Sequence, residues 1–317
     1  MVGRLLSGLL VLALSSTASW AATCEVVDEK ALKWLDRMSR SLRETSYEGI
    51  FTYQHGNSLQ SMHISHSVAG KVESEQVTRL SGSGSRIIRT EHPLDCIHPG
   101  HKLVRIGALY NEGSEECGVA EVYRLEVGGM MRVAGREAVV LNVLPRDMYR
   151  YGYQMALDTE TGLLLRSQTL AQDGKILERF QFADLRIGEV RRPGTRVEVI
   201  HHASHQHHAE QSDHREERGS WEVSWVPQGF VLTEGDSLSG KDKTFTDGLA
   251  VFSVFLETMP ELEAPGEGRA RQGGTTAYTR GMAVDGQPVL VTVLGEVPIN
   301  TARMVADSIN WRVSFAD

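Results

Sequence analysis

The chain has 317 residues, and its 33 Lys and Arg against 41 Asp and Glu give a formal net charge of −8. That acidic balance argues against nucleic-acid binding, which needs a basic face, and against a simple electrostatic grip on anionic lipid. The length accommodates two domains at roughly 150 residues each.

The opening residues carry an address. Arg4 precedes an apolar run, Leu5 to Leu14, and a small-residue stretch, Ser15 to Ala21, ends in Ser19-Trp20-Ala21. This is the layout of a secretory signal peptide over residues 1–21, with the mature chain expected from about Ala22. The run is shorter than the roughly 20 residues that span a bilayer. Export would place three Cys in an oxidising compartment, leaving one over. Cys96 with Cys117 is the expected bridge because it closes a short loop. Cys24 is then free or pairs between copies, and a homodimer stays open. Ala22-Thr23 lacks the small residue that precedes a lipidated Cys.

Ala31, Leu35, Met38 and Leu42 recur at helical spacing, widened by Trp34, and predict a helix. After Ser46 the period falls to two. Tyr47, Gly49, Phe51 and Tyr53 alternate with Glu48, Ile50, Thr52 and Gln54; Met62, Ile64, His66 and Val68 alternate with His63, Ser65 and Ser67. Further strands are predicted over 85–89, 102–106, 119–127, 138–144, 151–158, 163–170 and 176–187. Short turns such as His55-Gly56-Asn57 and Gln172-Asp173-Gly174-Lys175 separate them. About nine strands so arranged predict one antiparallel sheet over residues 22–200, strongly curved or partly closed into a barrel.

His201 to Arg218 contains no Leu, Ile, Val or Phe, so residues 201–219 are expected to be a His-rich linker. Its His side chains titrate between about pH 5 and 8, and they offer adventitious metal contacts. Residues 220–317 are expected to form a smaller α+β domain. Strands are predicted at 221–226, 230–238, 244–246, 249–257, 277–284 and 289–296. Asn300 is the expected N-cap of a closing helix, 301–310. The stretch 261–274, rich in Gly and charge, is expected to be a mobile loop.

No Gly-x-Ser-x-Gly elbow, P-loop or His-Glu-x-x-His occurs. His92, Cys96, His98 and His101 have ligand-like spacing, but Pro93, Pro99 and Gly100 make that stretch turn-rich, and Cys96 is better used in a disulfide. Neither a metal nor a cofactor is expected, and a binding protein is favoured over an enzyme.

Four stretches together carry a resemblance: 47–53 (YEGIFTY), 144–153 (LPRDMYRYGY), 225–230 (WVPQGF) and 247–257 (DGLAVFSVFLE). In this order they resemble the RseB/MucB family of periplasmic regulators over nearly the whole mature chain. The resemblance implies a lipoprotein-carrier-like N-terminal domain, an unclosed β-barrel with helices on its concave side. It implies a smaller C-terminal sheet with a packed helix. It also implies a function: binding the periplasmic segment of a single-pass anti-sigma factor, and shielding it from regulated proteolysis. Lipid or lipopolysaccharide would release it during envelope stress, freeing an extracytoplasmic-function sigma factor with alginate-type output. A periplasmic lipid or lipoprotein carrier without a signalling partner is the competing expectation.

Two groups of residues are candidates for contact. Tyr47, Phe51 and Tyr53 share a strand face, with Met62 and Ile64 nearby; they line an apolar trough for lipid or are ordinary core. Arg146, Tyr149, Arg150 and Tyr151 crowd Arg with Tyr, a composition enriched at interfaces. They are partner-binding candidates, or else a satisfied Arg–Asp pair at a strand entrance.

Overall fold

A computed structural model describes residues 28–70, 72–82, 86–93, 118–188, 190, 220–233, 242–259, 266–284 and 287–312. The expected signal peptide, Cys24, Cys96, Cys117, the strand expected at 102–106 and the His-rich linker lie outside the described residues.

Helix α1 spans Glu29–Glu44. Asp28 starts it, its side chain accepting from the backbone N–H of Lys30 at 3.0 Å and Ala31 at 3.2 Å. Glu29 in the first turn and Arg43 in the last complement the helix dipole. The stripe expected from the sequence faces inward: Ala31, Leu32, Leu35 and Met38 are buried, and Leu42 is half-buried.

Nine strands follow: β1 Tyr47–His55, β2 Ser58–Ala69, β3 Val72–Arg79, β4 Arg86–Pro93, β5 Tyr123–Val133, β6 Arg136–Pro145, β7 Gly152–Asp158, β8 Leu164–Leu170 and β9 Ile176–Ile187. They form one curved antiparallel sheet in the order β4-β3-β2-β1-β9-β8-β7-β6-β5. Its outer strands, β4 and β5, are not paired with each other, so among the described residues the sheet is unclosed. Strand β3 reads Val-Glu-Ser-Glu-Gln-Val-Thr-Arg; its inward positions include Glu75 and Arg79, so apolar alternation does not announce it. Gly49 is required where β1 meets β9, because a Cβ there would lie 2.4 Å from the Asp184 carbonyl oxygen.

The second unit contains β10 Ser220–Val223, β11 Val231–Leu232, β12 Asp242–Thr246, β13 Val251–Thr258, β14 Gly268–Gln272, β15 Thr275–Val284, β16 Gln287–Gly295, helix α2 Ile299–Asp307 and β17 Ile309–Arg312. Six strands make a sheet in the order β11-β12-β13-β16-β15-β14, and β10 pairs with β17. Helix α2 packs Ala302, Val305 and Ala306 into a core with Phe252, Val254, Val291 and Val293. The described residues are thus mainly β, with two large sheets, one two-stranded ribbon and few helices.

Two local expectations are corrected. The stretch 261–274 is not all loop: Gly268–Gln272 is an edge strand paired with β15 from Gly268↔Thr279 to Gln272↔Thr275. Its Arg-Ala-Arg centre has no apolar signature because it lies at a sheet edge, where side chains meet solvent. Asn300 is not a cap but lies within α2, which begins after Pro298. The fixed φ of Pro suits a helix start. The same helix stops at Asp307, because Ile309–Arg312 is drawn into pairing with β10.

Candidate functional site

Strand register brings the five trough candidates together. Phe51 faces Met62, Gly49 faces Ile64 and Tyr47 faces His66 across β1 and β2. Across β1 and β9, Phe51 faces Phe182 and Tyr53 faces Phe180. All lie on the sheet face that α1 covers farther along, where Leu32, Leu35 and Met38 pack on Leu141, Val143 and Leu157. Phe51, Phe180 and Phe182 form a ring cluster with centroids 5.0 to 6.1 Å apart. Tyr47, Phe51 and Ile64 are buried, while Tyr53, Met62 and Phe180 are half-buried. Tyr47 stacks on His66 at 5.0 Å, and burial pushes its hydroxyl well above the usual range. The apolar face therefore has a packed floor and a partly open stretch around Tyr53, Met62 and Phe180.

The Arg–Tyr candidates are divided by the fold. Arg146 is exposed, its Nε donating to the carbonyls of Ala120 at 3.2 Å and Tyr123 at 3.4 Å. Tyr149 is half-buried, edge-on to Trp225 at 5.3 Å, and its carbonyl accepts from Thr301 Oγ1 at 3.0 Å. Arg150 and Tyr151 are buried at 0% and 3% exposure. Neither is presented to solvent, and Arg150 pairs with Asp147.

Arg150 forms the centre of a junction between the two units. Its Nε donates to both Asp147 oxygens at 3.1 Å. Its Nη1 donates to Asp247 Oδ2 at 2.7 Å, and its Nη2 to the Gln228 carbonyl at 2.6 Å. The guanidinium lies over the rings of Tyr123 and Phe230, 5.4 and 5.2 Å from their centroids. Tyr123 Oη donates to the same Asp247 oxygen at 2.9 Å, while Asp247 Oδ1 accepts from the backbone of Leu249 and Ala250. Burial holds the Asp247 carboxyl above its usual range, opposed by these hydrogen bonds and by Arg150.

The turn 227–229 explains one of the sequence motifs. Gly229 has φ +84°, and a Cβ there would lie 2.9 Å from Val122 Cγ1. Beside it, Gln228 Nε2 donates to Glu121 Oε1 at 2.7 Å. A second contact lies at the β14–β15 turn, where the Gly274 N–H donates to Glu178 Oε2 at 3.1 Å. Glu178 also accepts from Tyr53 Oη at 2.8 Å and Thr169 Oγ1 at 3.0 Å. Close by, burial raises the Glu296 carboxyl from 4.5 to about 7, with Glu178 and Asp247 adding like-charge repulsion. The Tyr153 hydroxyl is buried there without a hydrogen-bond partner.

Sequence reasoning missed Asp247, Tyr123, Glu178 and Glu296. Asp247-Gly248 reads as a turn, and nothing local ties it to an Arg 97 residues away. Among the described residues no group of His, Cys, Asp or Glu is placed to hold a metal, and His98 and His101 lie outside them. No helix among the described residues is long and apolar enough to cross a membrane.

Comparison with known proteins agrees with this architecture. The family model for the MucB/RseB N-terminal domain matches residues 30–212, and that for the MucB/RseB C-terminal domain matches residues 215–310. The chain is 35% identical over 295 residues to the sigma factor AlgU regulatory protein MucB of Pseudomonas aeruginosa, covering 88% of this chain and 90% of that protein. It is 27% identical to the sigma-E factor regulatory protein RseB of Haemophilus influenzae, covering 95% and 97%. The Pseudomonas aeruginosa MucA/MucB complex contains a chain of similar structure: TM-score 0.69, 30% identity, 90% of this chain and 100% of that one. A structure of MucB by itself gives 0.60 at 30% identity over 89% and 98%. The two units, their order and this similarity along the whole length place the chain in the MucB/RseB family.

Proposed function

We propose that the chain is a periplasmic, non-enzymatic negative regulator of an extracytoplasmic-function sigma factor. It binds the periplasmic segment of a single-pass anti-sigma factor and shields that segment from regulated proteolysis. The observation that carries this reading is the similarity, over 90% of the chain, to MucB held in a complex with MucA. Lipopolysaccharide or another acylated lipid is the proposed release signal, and alginate-type production the proposed output.

Occupancy and linkage suffice for such a device. A lipid that favours an arrangement unable to hold the anti-sigma segment lowers partner affinity by its differential affinity for the two arrangements. A tenfold change needs about 1.4 kcal/mol, and each buried acyl methylene supplies about 0.8 kcal/mol. The half-buried stretch at Tyr53, Met62 and Phe180 supports an acyl contact on the inner sheet face.

A lipid or lipoprotein carrier with no signalling partner is the second reading, favoured by the same apolar face. Calorimetric titration of the whole chain with an anti-sigma periplasmic segment, with and without lipopolysaccharide, separates the two. Saturable binding that the lipid weakens is expected. Lipid binding with no affinity for the segment would leave the carrier.

A further inference from the structure

The outer face of the first sheet carries a side-chain cluster unrelated to the apolar trough or the junction. On β8 and β9, Gln168 faces Arg179 and Arg166 faces Gln181. Inward positions of the same strands hold Leu165 and Phe182, so Arg166, Gln168 and Arg179 point away from the core. Arg166 and Gln168 are two apart on one strand, which makes Arg166 and Arg179 diagonal neighbours across the pair. The row continues through Gln154, opposite Gln168, and Gln54, opposite Arg179.

Three donor nitrogens at its centre lack an acceptor. Arg166 Nε, Arg179 Nε and Gln168 Nε2 are buried with no hydrogen-bond partner. Gln168 is only 3% exposed. A buried donor left unsatisfied costs about 1–3 kcal/mol, and such groups are rare enough to need a reason. The one polar contact of Arg166 is weak, Nη1 to Met131 Sδ at 4.0 Å. Several other cations among the described residues take carboxylates: Arg124 pairs with Glu126, Arg136 with Asp158, and Arg150 with Asp247. No ion pair reaches Arg166 or Arg179 among the described residues. Burial, then the charge of Arg179, holds the Arg166 guanidinium below its usual range. Both arginines remain partly open to solvent, so an incoming anion can reach them.

We propose that Arg166, Arg179 and Gln168 form a binding site for a doubly charged tetrahedral oxyanion, a phosphate group. Two guanidiniums supply two positive charges with no counter-charge, which a dianion neutralises. Their forked donors match oxygen pairs on phosphate, and the Gln168 amide, turned about its last bond, adds a neutral donor. A single carboxylate would leave one cation uncompensated. The site lies on the sheet face opposite the trough, and it does not rest on the regulatory reading.

The test is calorimetric titration of the whole chain with inorganic phosphate, with chloride at equal ionic strength as control. One saturable site is expected, tighter at pH 8 than at pH 6 because the dianion then dominates. Arg166→Gln and Arg179→Gln should each weaken binding about tenfold, one charge-assisted contact's worth. Gln168→Leu should weaken it several-fold while leaving unliganded thermal stability unchanged or higher, since it removes an orphan donor; this separates binding from folding. Vesicles of phosphatidic acid against phosphatidylcholine distinguish the source. Capture by the former, lost in both Arg variants, assigns a lipid headgroup, and binding of free phosphate alone assigns a soluble phosphorylated ligand. Absence of saturable binding to either probe overturns the site, as does phosphate binding that the Arg substitutions leave intact.

Discussion

Arg150 and Asp247 meet across the two units at 2.7 Å, with both side chains fully shielded from water. Breaking a buried pair by removing one partner costs about 3–5 kcal/mol, because the remaining charge stays buried alone. Arg150→Met and Asp247→Leu singly should each lower the unfolding free energy by that order. The double variant should recover much of the loss. Chemical denaturation of the four proteins as a cycle checks it, and additive losses would contradict a direct pairing.

The junction should also respond to pH. The Glu296 carboxyl is raised to about 7, so the folded state binds its proton more tightly than the unfolded chain does. Its stabilising share is fully present below about pH 4.5 and is lost as pH rises through about 7. Thermal midpoints measured from pH 5 to 8 should fall along this window, and Glu296→Gln should flatten the curve. An equal slope in the variant would assign the effect to another group.

Phe51 belongs to the packed floor and Met62 to the open stretch, so their substitutions should differ in kind. Phe51→Ala should cost about 3–5 kcal/mol, the usual range for a buried ring. Met62→Asp should leave the circular dichroism spectrum unchanged and reduce displacement of an anti-sigma segment by lipid. Undiminished displacement in folded Met62→Asp would remove this face from the proposed release mechanism.

Gly229→Ala tests the turn that seats one unit on the other. The residue has φ +84° and no room for a Cβ beside Val122. A left-handed non-Gly residue costs about 1–2 kcal/mol, and the close contact adds to it. Hydrogen exchange should quicken around Val122 while the core strands β13 and β16 keep their protection. Uniform acceleration would mean that the contact governs the whole fold.

Much of this architecture was legible because period and punctuation agree locally. The stripe from Ala31 to Leu42, the alternation at Tyr47–Tyr53 and the Gln172–Lys175 turn each follow from neighbouring residues. Strand β3 and edge strand β14 were not legible, since their side chains are polar where apolar alternation is the signal. The contact candidates were recoverable only in part. Placing Tyr47, Phe51, Tyr53, Met62 and Ile64 on one face follows from the period of two. Arg150 needed the fold, because burial or exposure of an Arg depends on Asp247 and Gln228, which approach it from another unit. The Arg146–Tyr151 crowding signalled an interface; the observed contact lies within the chain itself.

The strand order has a kinetic corollary. Strands β1 to β4 and β5 to β9 are two meanders built from hairpins between sequence neighbours, and a single seam, β1 against β9, sews them together. That seam pairs Tyr47 with Ile187 and Phe51 with Phe182, partners more than a hundred positions apart. Loop closure over such distances is slow, so each meander should zip early and the seam last. Forced extension or transient breathing should part the sheet along the same line, laying open the phenylalanine cluster before any hairpin frays.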